Sequence, residues 1–232
     1  MLVGHVAVSL GAKRIEPSIS LGALVFASML PDVVWCVLLL AGIEHVQIRP
    51  GMGAANYFKA SDIGISHSLV MDVFWAALLA AAYFLKRRSP RGAWILFGVV
   101  VSHWILDWIS HRPDMPLSPG VHRYFGLGLW TSIPATLIVE GGLWTIAVIC
   151  YARAIRSRTG GRVYAFWIVA ALLTLAWYNN VAGPAPPNTQ TAPLISLIFF
   201  SFTVAWAYWI DRSRPSPLVA VSNLGSAPTG LH

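Results

Sequence analysis

Charge is scarce in this chain. Of its 232 residues only 11% are Asp, Glu, Lys or Arg, against about a quarter in a soluble globular domain. That shortfall excludes an ordinary water-soluble globule and a disordered chain. Cysteine is scarcer still, with only Cys36 and Cys150, which excludes a disulfide scaffold. The two thiols fall at different depths of separate apolar runs, so no disulfide is expected between them. Internal repeats and long linkers are absent too, and the first apolar stretch lacks the basic start and small-residue cleavage site of a signal peptide. What is abundant is apolar surface: 56% of the residues, including eleven Trp, seven Tyr and ten Phe, with a mean hydropathy of +0.65. Aromatic rings settle at the two apolar–water boundaries of a bilayer. The chain reads as an all-α, multi-pass transmembrane helix bundle.

Six runs reach the roughly 20 residues a bilayer-crossing helix needs: Ser18–Ile43, Ile63–Leu85, Ala93–Ser110, Thr131–Tyr151, Val163–Val181 and Ala192–Ile210. Leu2–Ala12 is apolar but too short to span, and reads as a half-helix that dips into the membrane or lies at its interface. Twelve of the sixteen Lys and Arg fall in loops or flanks on one side of these spans. Positive charge marks the cytoplasmic face, so both termini are expected inside a cell (inner) membrane. The same asymmetry accounts for the formal net charge of +7 through anionic lipid headgroups, and no nucleic-acid partner is expected. Residues 1–212 are expected to form one transmembrane domain, with a Pro-, Ser- and Gly-rich cytoplasmic tail over 213–232 that composition predicts to be disordered.

Function in such a chain is read from ionisable groups within its spans, each of which costs about 2.5–3.5 kcal/mol on insertion scales. Here they are Asp32, His67, Asp72, His103 and Asp107, with His111 and Asp114 just beyond the third span. All are Asp or His, and no basic residue lies mid-span to neutralise them. Buried carboxylates without basic partners either stay protonated or take up a cation, and imidazole beside carboxylate suits zinc. At the helical rise, Asp32, His67, His103 and Asp107 all lie within about 5–10 Å of the outer boundary. His103, Asp107 and His111 recur at i, i+4 and i+8, one stripe of a helix. Asp72 points away from His67 around its helix and is placed behind the ligands or against another span. Leu30-Pro31-Asp32 is expected to break the first span and expose a carboxylate to a polar cavity. His5 lies less deep. A helix ending at Lys13 leaves it about 12 Å from the cytoplasmic boundary, short of the other four.

The order His5, Pro31-Asp32, Ser66-His67-Ser68, His103-x-x-x-Asp107 resembles that of the YdjM-type bacterial inner-membrane proteins, a family described as metal-dependent hydrolases. It is also similar to the ligand order of zinc-dependent phospholipase C and P1-type nucleases. The first resemblance covers about residues 1–115 by motif and the later spans by hydropathy. It implies that Asp32, His67, His103 and Asp107 hold one divalent ion, and that His5 and Asp107 share a second. Two features depart from the phospholipase pattern. The chain begins with Met1 rather than Trp, and it has no later His-x-x-x-Glu, His122 and Glu140 being eighteen residues apart.

The function expected from these residues is metal-dependent hydrolysis of a lipid or other amphiphilic phosphoester at the outer face, with Asp32 and Asp107 as the catalytic carboxylates. Ser66, Asp72, His111, Asp114, Arg112 and Arg123 are expected around the ligands or the substrate. The arginines lie in an outer loop, 112–130, that is placed to cover the site, and guanidinium suits phosphate. The alternatives are a cation or proton transporter, and a non-enzymatic scaffold whose His–Asp pairs only join helices.

Overall fold

A computed structural model describes residues 1–48, 55, 58–155, 161–184 and 188–211; the tail expected over 213–232 lies outside the described residues. The helices are α1 (Leu2–Ile15), α2 (Leu21–Leu40), α3 (Gly64–His67), α4 (Leu69–Arg87), α5 (Pro90–Ser110), α6 (Ile133–Ile155), α7 (Gly161–Ala182) and α8 (Thr191–Asp211). Among the described residues six helices are long and apolar enough to cross a membrane: α2, α4, α5, α6, α7 and α8. The fold is all-α, as the hydropathy predicts. The expected spans shift by a few residues at their ends because local caps set the boundaries. Ser89 accepts from the Gly92 N–H at 3.1 Å and Pro90 opens α5, a position where its missing N–H costs nothing.

Two expectations need correction. The second span does not begin at Ile63. Ser68 is extended, with φ −80° and ψ 148°, and its hydroxyl caps α4, so His67 sits on a separate short helix, α3. Conversely, Pro31 does not break the first span: α2 runs through it from Leu21 to Leu40. Proline removes only its own N–H and the bond to the carbonyl one turn back, and the rest of the helical ladder carries across. Outside the helices, the chain beyond α2 folds back as an antiparallel hairpin, β1 (His45–Ile48) against β2 (Phe58–Asp62). A smaller one pairs β3 (Met115–Pro116) with β4 (Tyr124–Phe125). Both hairpins stand at the end of the bundle where α2 and α5 finish.

The organising element is α1. It does not lie at the interface. It packs on α2, α5, α6 and α7, with Val3, Val6, Ala7 and Leu10 buried in the main core cluster. A helix apolar nearly all round belongs in an interior. At about 1.5 Å per residue, its fourteen residues reach about two-thirds of the way across a core about 30 Å thick. Its base is anchored by Lys13, which is not a surface charge of the basic face: the side chain is only 2% exposed. The ammonium donates to Asp211 Oδ2 at 2.7 Å and to the carbonyls of Ile19 at 2.5 Å and Pro17 at 2.9 Å. Asp211 Oδ2 also accepts from the Leu21 N–H at 2.8 Å, so the last helix clasps the turn between the first two. Nearby, a Cβ on Gly22 would collide with the Tyr208 ring, a close approach that lets α2 and α8 pack along their lengths.

Removing one partner of a buried ion pair leaves the other charge uncompensated, at a cost of about 3–5 kcal/mol. Asp211→Ala is therefore expected to lower the unfolding midpoint in detergent sharply. Paired replacement, Lys13→Met with Asp211→Leu, is expected to recover most of that loss.

Candidate metal centre

The inner tip of α1 meets α5, α2 and α3 at one place. His103 on α5 turns Nδ1 to the Ser28 carbonyl of α2, 2.8 Å away. A carbonyl only accepts, so Nδ1 carries a proton and donates; in the neutral ring Nε2 then keeps its lone pair. That Nε2 is 3.2 Å from Asp107 Oδ2 and 3.8 Å from Asp32 Oδ1, yet it makes no hydrogen bond and is fully buried. His67 brings its own Nε2 to 3.5 Å from Asp32 Oδ1 and 3.8 Å from Asp107 Oδ2. Asp32, His67 and His103 thus offer donor atoms within 4.8 Å of one another, as do His5, His103 and Asp107. These buried groups could hold a metal ion.

His5 joins the cluster after all. Its ring stacks on that of His103 with centroids 3.8 Å apart and planes 8° from parallel, and its Nε2 lies 3.2 Å from Asp107 Oδ1. The shortfall in depth disappears because Lys13, the reference for that estimate, is itself buried. The same carboxylate oxygen takes a second partner: the Met1 α-amino group donates to Asp107 Oδ1 at 2.6 Å and lies 3.0 Å from His5 Nε2. Asp107 therefore faces a cation through Oδ1, while Oδ2 faces His67 and His103.

The residues expected around the ligands divide. Ser66 touches His67, with its Oγ 2.7 Å from Nδ1. His111 has Nε2 at 3.9 Å from Asp107 Oδ2, and its Nδ1 is held at 2.9 Å by Asp114 Oδ1. It is kept there by the following loop, in which Leu127 N–H bonds the Trp108 carbonyl at 2.8 Å and Gly128 N–H the His111 carbonyl at 2.7 Å. Gly126 makes that approach possible, since a Cβ would overlap the carbonyls of His111 and Arg112. Asp72 is buried on α4 but belongs to neither donor group. A cavity of about 150 Å³ opens beside the cluster, lined by Asp32, Trp35, His67, His111, Trp130, Asn180 and Ser196 among others. From the loop 112–130 only Trp130 lines it. Arg112 and Arg123 do not, and the Arg123 guanidinium lies over the Phe125 ring instead, 5.4 Å from its centroid.

Sequence reasoning underrates Glu140, which looks like a lone acid in an otherwise apolar span. Its Oε1 accepts from the Val3 N–H at 3.1 Å and the Gly4 N–H at 3.3 Å. The first backbone N–H groups of a helix have no partner within it, and α1 starts with Met1 and Val3 buried in the bundle. A carboxylate there also complements the positive end of the helix dipole. The available signal is the pairing of a lone buried acid with a helix too short to span.

Glu140→Ala should leave those N–H groups unpaired and destabilise the protein by about 1–3 kcal/mol. Glu140→Gln, which keeps an accepting oxygen, should cost clearly less. Thermal unfolding of the two variants in the same detergent checks this.

No curated protein and no solved structure matches this chain. The family profile described as YdjM inner membrane protein, by contrast, matches residues 1–182, a stretch that carries the cluster on α1, α2, α3 and α5 together with Glu140 on α6. With its six apolar helices, the chain is a multi-pass inner membrane protein in contact with the lipid bilayer, and it belongs to the YdjM family.

Proposed function

We infer that this protein is a membrane-embedded metal-dependent hydrolase, holding one divalent ion, zinc, between Asp32, His67, His103 and Asp107. One observation carries the reading. Asp32, His67 and His103 bring donor atoms within 4.8 Å of one another, and Asp107 Oδ2 lies 3.8 Å from His67 Nε2 and 3.2 Å from His103 Nε2, a set of imidazole and carboxylate donors that suits zinc. His103 Nε2, buried without a hydrogen bond between two carboxylates, is likewise placed for a cation. The second donor group supports an ion less well, since His5 and Asp107 Oδ1 already face the Met1 ammonium.

A bound ion of this kind would supply Lewis acidity, activating water and polarising a scissile ester. The chain's own groups then divide the work. Asp32 is the accessible carboxylate, with its side chain 21% exposed and lining the cavity, and it orients or deprotonates water. Asp107, buried on α5, holds the two histidines facing one point. His111, fixed by Asp114, presents Nε2 to the cavity. The cluster lies near the hairpin end of the bundle, the face we assign to the outside on the charge asymmetry of the loops, with the far ends of α1 and α8 toward the cytoplasm; Met1 itself is buried at the cluster rather than in the cytoplasm, where the loop charges alone would put it. That depth, beneath a rim of Trp35 and Trp130, suits an amphiphilic phosphoester whose headgroup descends into the cavity while its apolar part stays in the outer leaflet.

A second reading, passage of a proton or cation, is favoured by polar groups that continue along α1. Ser9 Oγ donates to Ser28 Oγ at 2.8 Å, and the Lys13–Asp211 pair lies one turn further on.

Purified protein is expected to carry about one zinc per chain by elemental analysis, and His103→Ala and Asp32→Ala almost none. Short-chain phospholipid in mixed micelles should be hydrolysed by the parent only. Near-zero metal in all three proteins would overturn the reading, and Asp32-dependent ion flux in proteoliposomes without hydrolysis would replace it with the second.

A further inference from the structure

Glu44 has no place in the reading so far, yet it is only 2% exposed and its carboxylate collects three donors. Oε1 accepts from the backbone N–H groups of Ile65 at 2.9 Å and Ser66 at 2.8 Å. Oε2 lies 2.6 Å from Ser66 Oγ. The same hydroxyl is 2.7 Å from His67 Nδ1. A serine hydroxyl has one proton to give. A carboxylate can only accept, so that proton goes to Glu44. Ser66 Oγ must then accept from His67, which requires the proton on Nδ1. In the neutral ring the lone pair of His67 is thereby assigned to Nε2, the atom facing Asp32 and Asp107.

We propose that Glu44, acting through Ser66, is a positioning residue that holds His67 as the tautomer protonated at Nδ1, leaving Nε2 free for a divalent ion. The Ser28 carbonyl does the same for His103, so the two imidazoles assigned to the ion are each set by their second nitrogen, as groups behind a metal-bound histidine commonly do. The proposal rests on the metal reading for its purpose, though not for its geometry. Simple capping of α3 would need only the two backbone N–H contacts. The contact from Oε2 through the hydroxyl to the ring is additional, and it leads toward the cluster.

Glu44→Gln separates the two roles. The amide oxygen can still accept from Ile65 and Ser66, so the cap and the fold persist. The amide nitrogen must donate to Ser66 Oγ, whose proton then turns to His67 Nδ1 and drives the ring proton to Nε2. Nitrogen-15 NMR of the histidine-labelled full chain in lipid bilayers, without metal, reads this directly, with His67 assigned by the signal lost in His67→Gln. In the parent His67 Nδ1 should be protonated; in Glu44→Gln it should not be. Zinc affinity, measured against a competing chelator, should fall about 10–100-fold with the unfolding midpoint unchanged. An Nδ1 that stays protonated in Glu44→Gln, or is unprotonated in the parent, overturns the proposal. A proton that moves as described in a protein that binds no zinc upholds the tautomer assignment and overturns the metal reading instead.

Discussion

A helix that stops inside a bilayer is the constraint on which the rest of this molecule depends. In the hydrocarbon region no water is available for free backbone groups, and each unsatisfied one costs several kcal/mol. The start of α1 therefore has to bring its partners with it. Glu140 arrives from α6, Asp107 from α5, and His5 folds back from α1 itself to meet the Met1 amino group. At the other end Lys13 requires Asp211 from α8. Polar groups that look extravagant in an apolar sequence become necessary once this helix sits in the middle.

The same constraint builds the cluster. Asp107 is drawn to the tip of α1 through one oxygen, and the other is then directed at the imidazoles on α5 and α3. Ser28 lies where α2 passes behind His103, so a backbone carbonyl sets that ring. The later spans are not passive filler. α6 closes the tip of α1, while α7 and α8 complete the cavity wall with Asn180 and Ser196.

Much of this is visible in the amino-acid order, for definable reasons. The six spans are legible because lipid demands long apolar runs whatever their neighbours. The common level of Asp32, His67, His103 and Asp107 is legible because helical rise converts residue number into depth. The place of α1 is not, since fourteen apolar residues describe a core helix and an interfacial one equally well, and the choice is made by tertiary partners. His5 falls short on paper only because Lys13 is assumed to sit in water. Proline 31 is misread by treating a lost hydrogen bond as a break, and Ser68 is overlooked because a cap inside an apolar run leaves hydropathy unchanged. Glu44 and Glu140 are opaque for a shared reason: what they bond is backbone, and backbone leaves no trace in side-chain pattern.

The contacts of α1 also bear on the order of assembly. Its tip waits for groups 106 residues away at Asp107 and 137 away between Val3 and Glu140, and its base for one 198 away at Asp211. α1 must therefore stay sheltered until α8 is in place. A helix that precedes all its partners in the sequence is the last to be completed, and the bundle closes around it rather than growing from it.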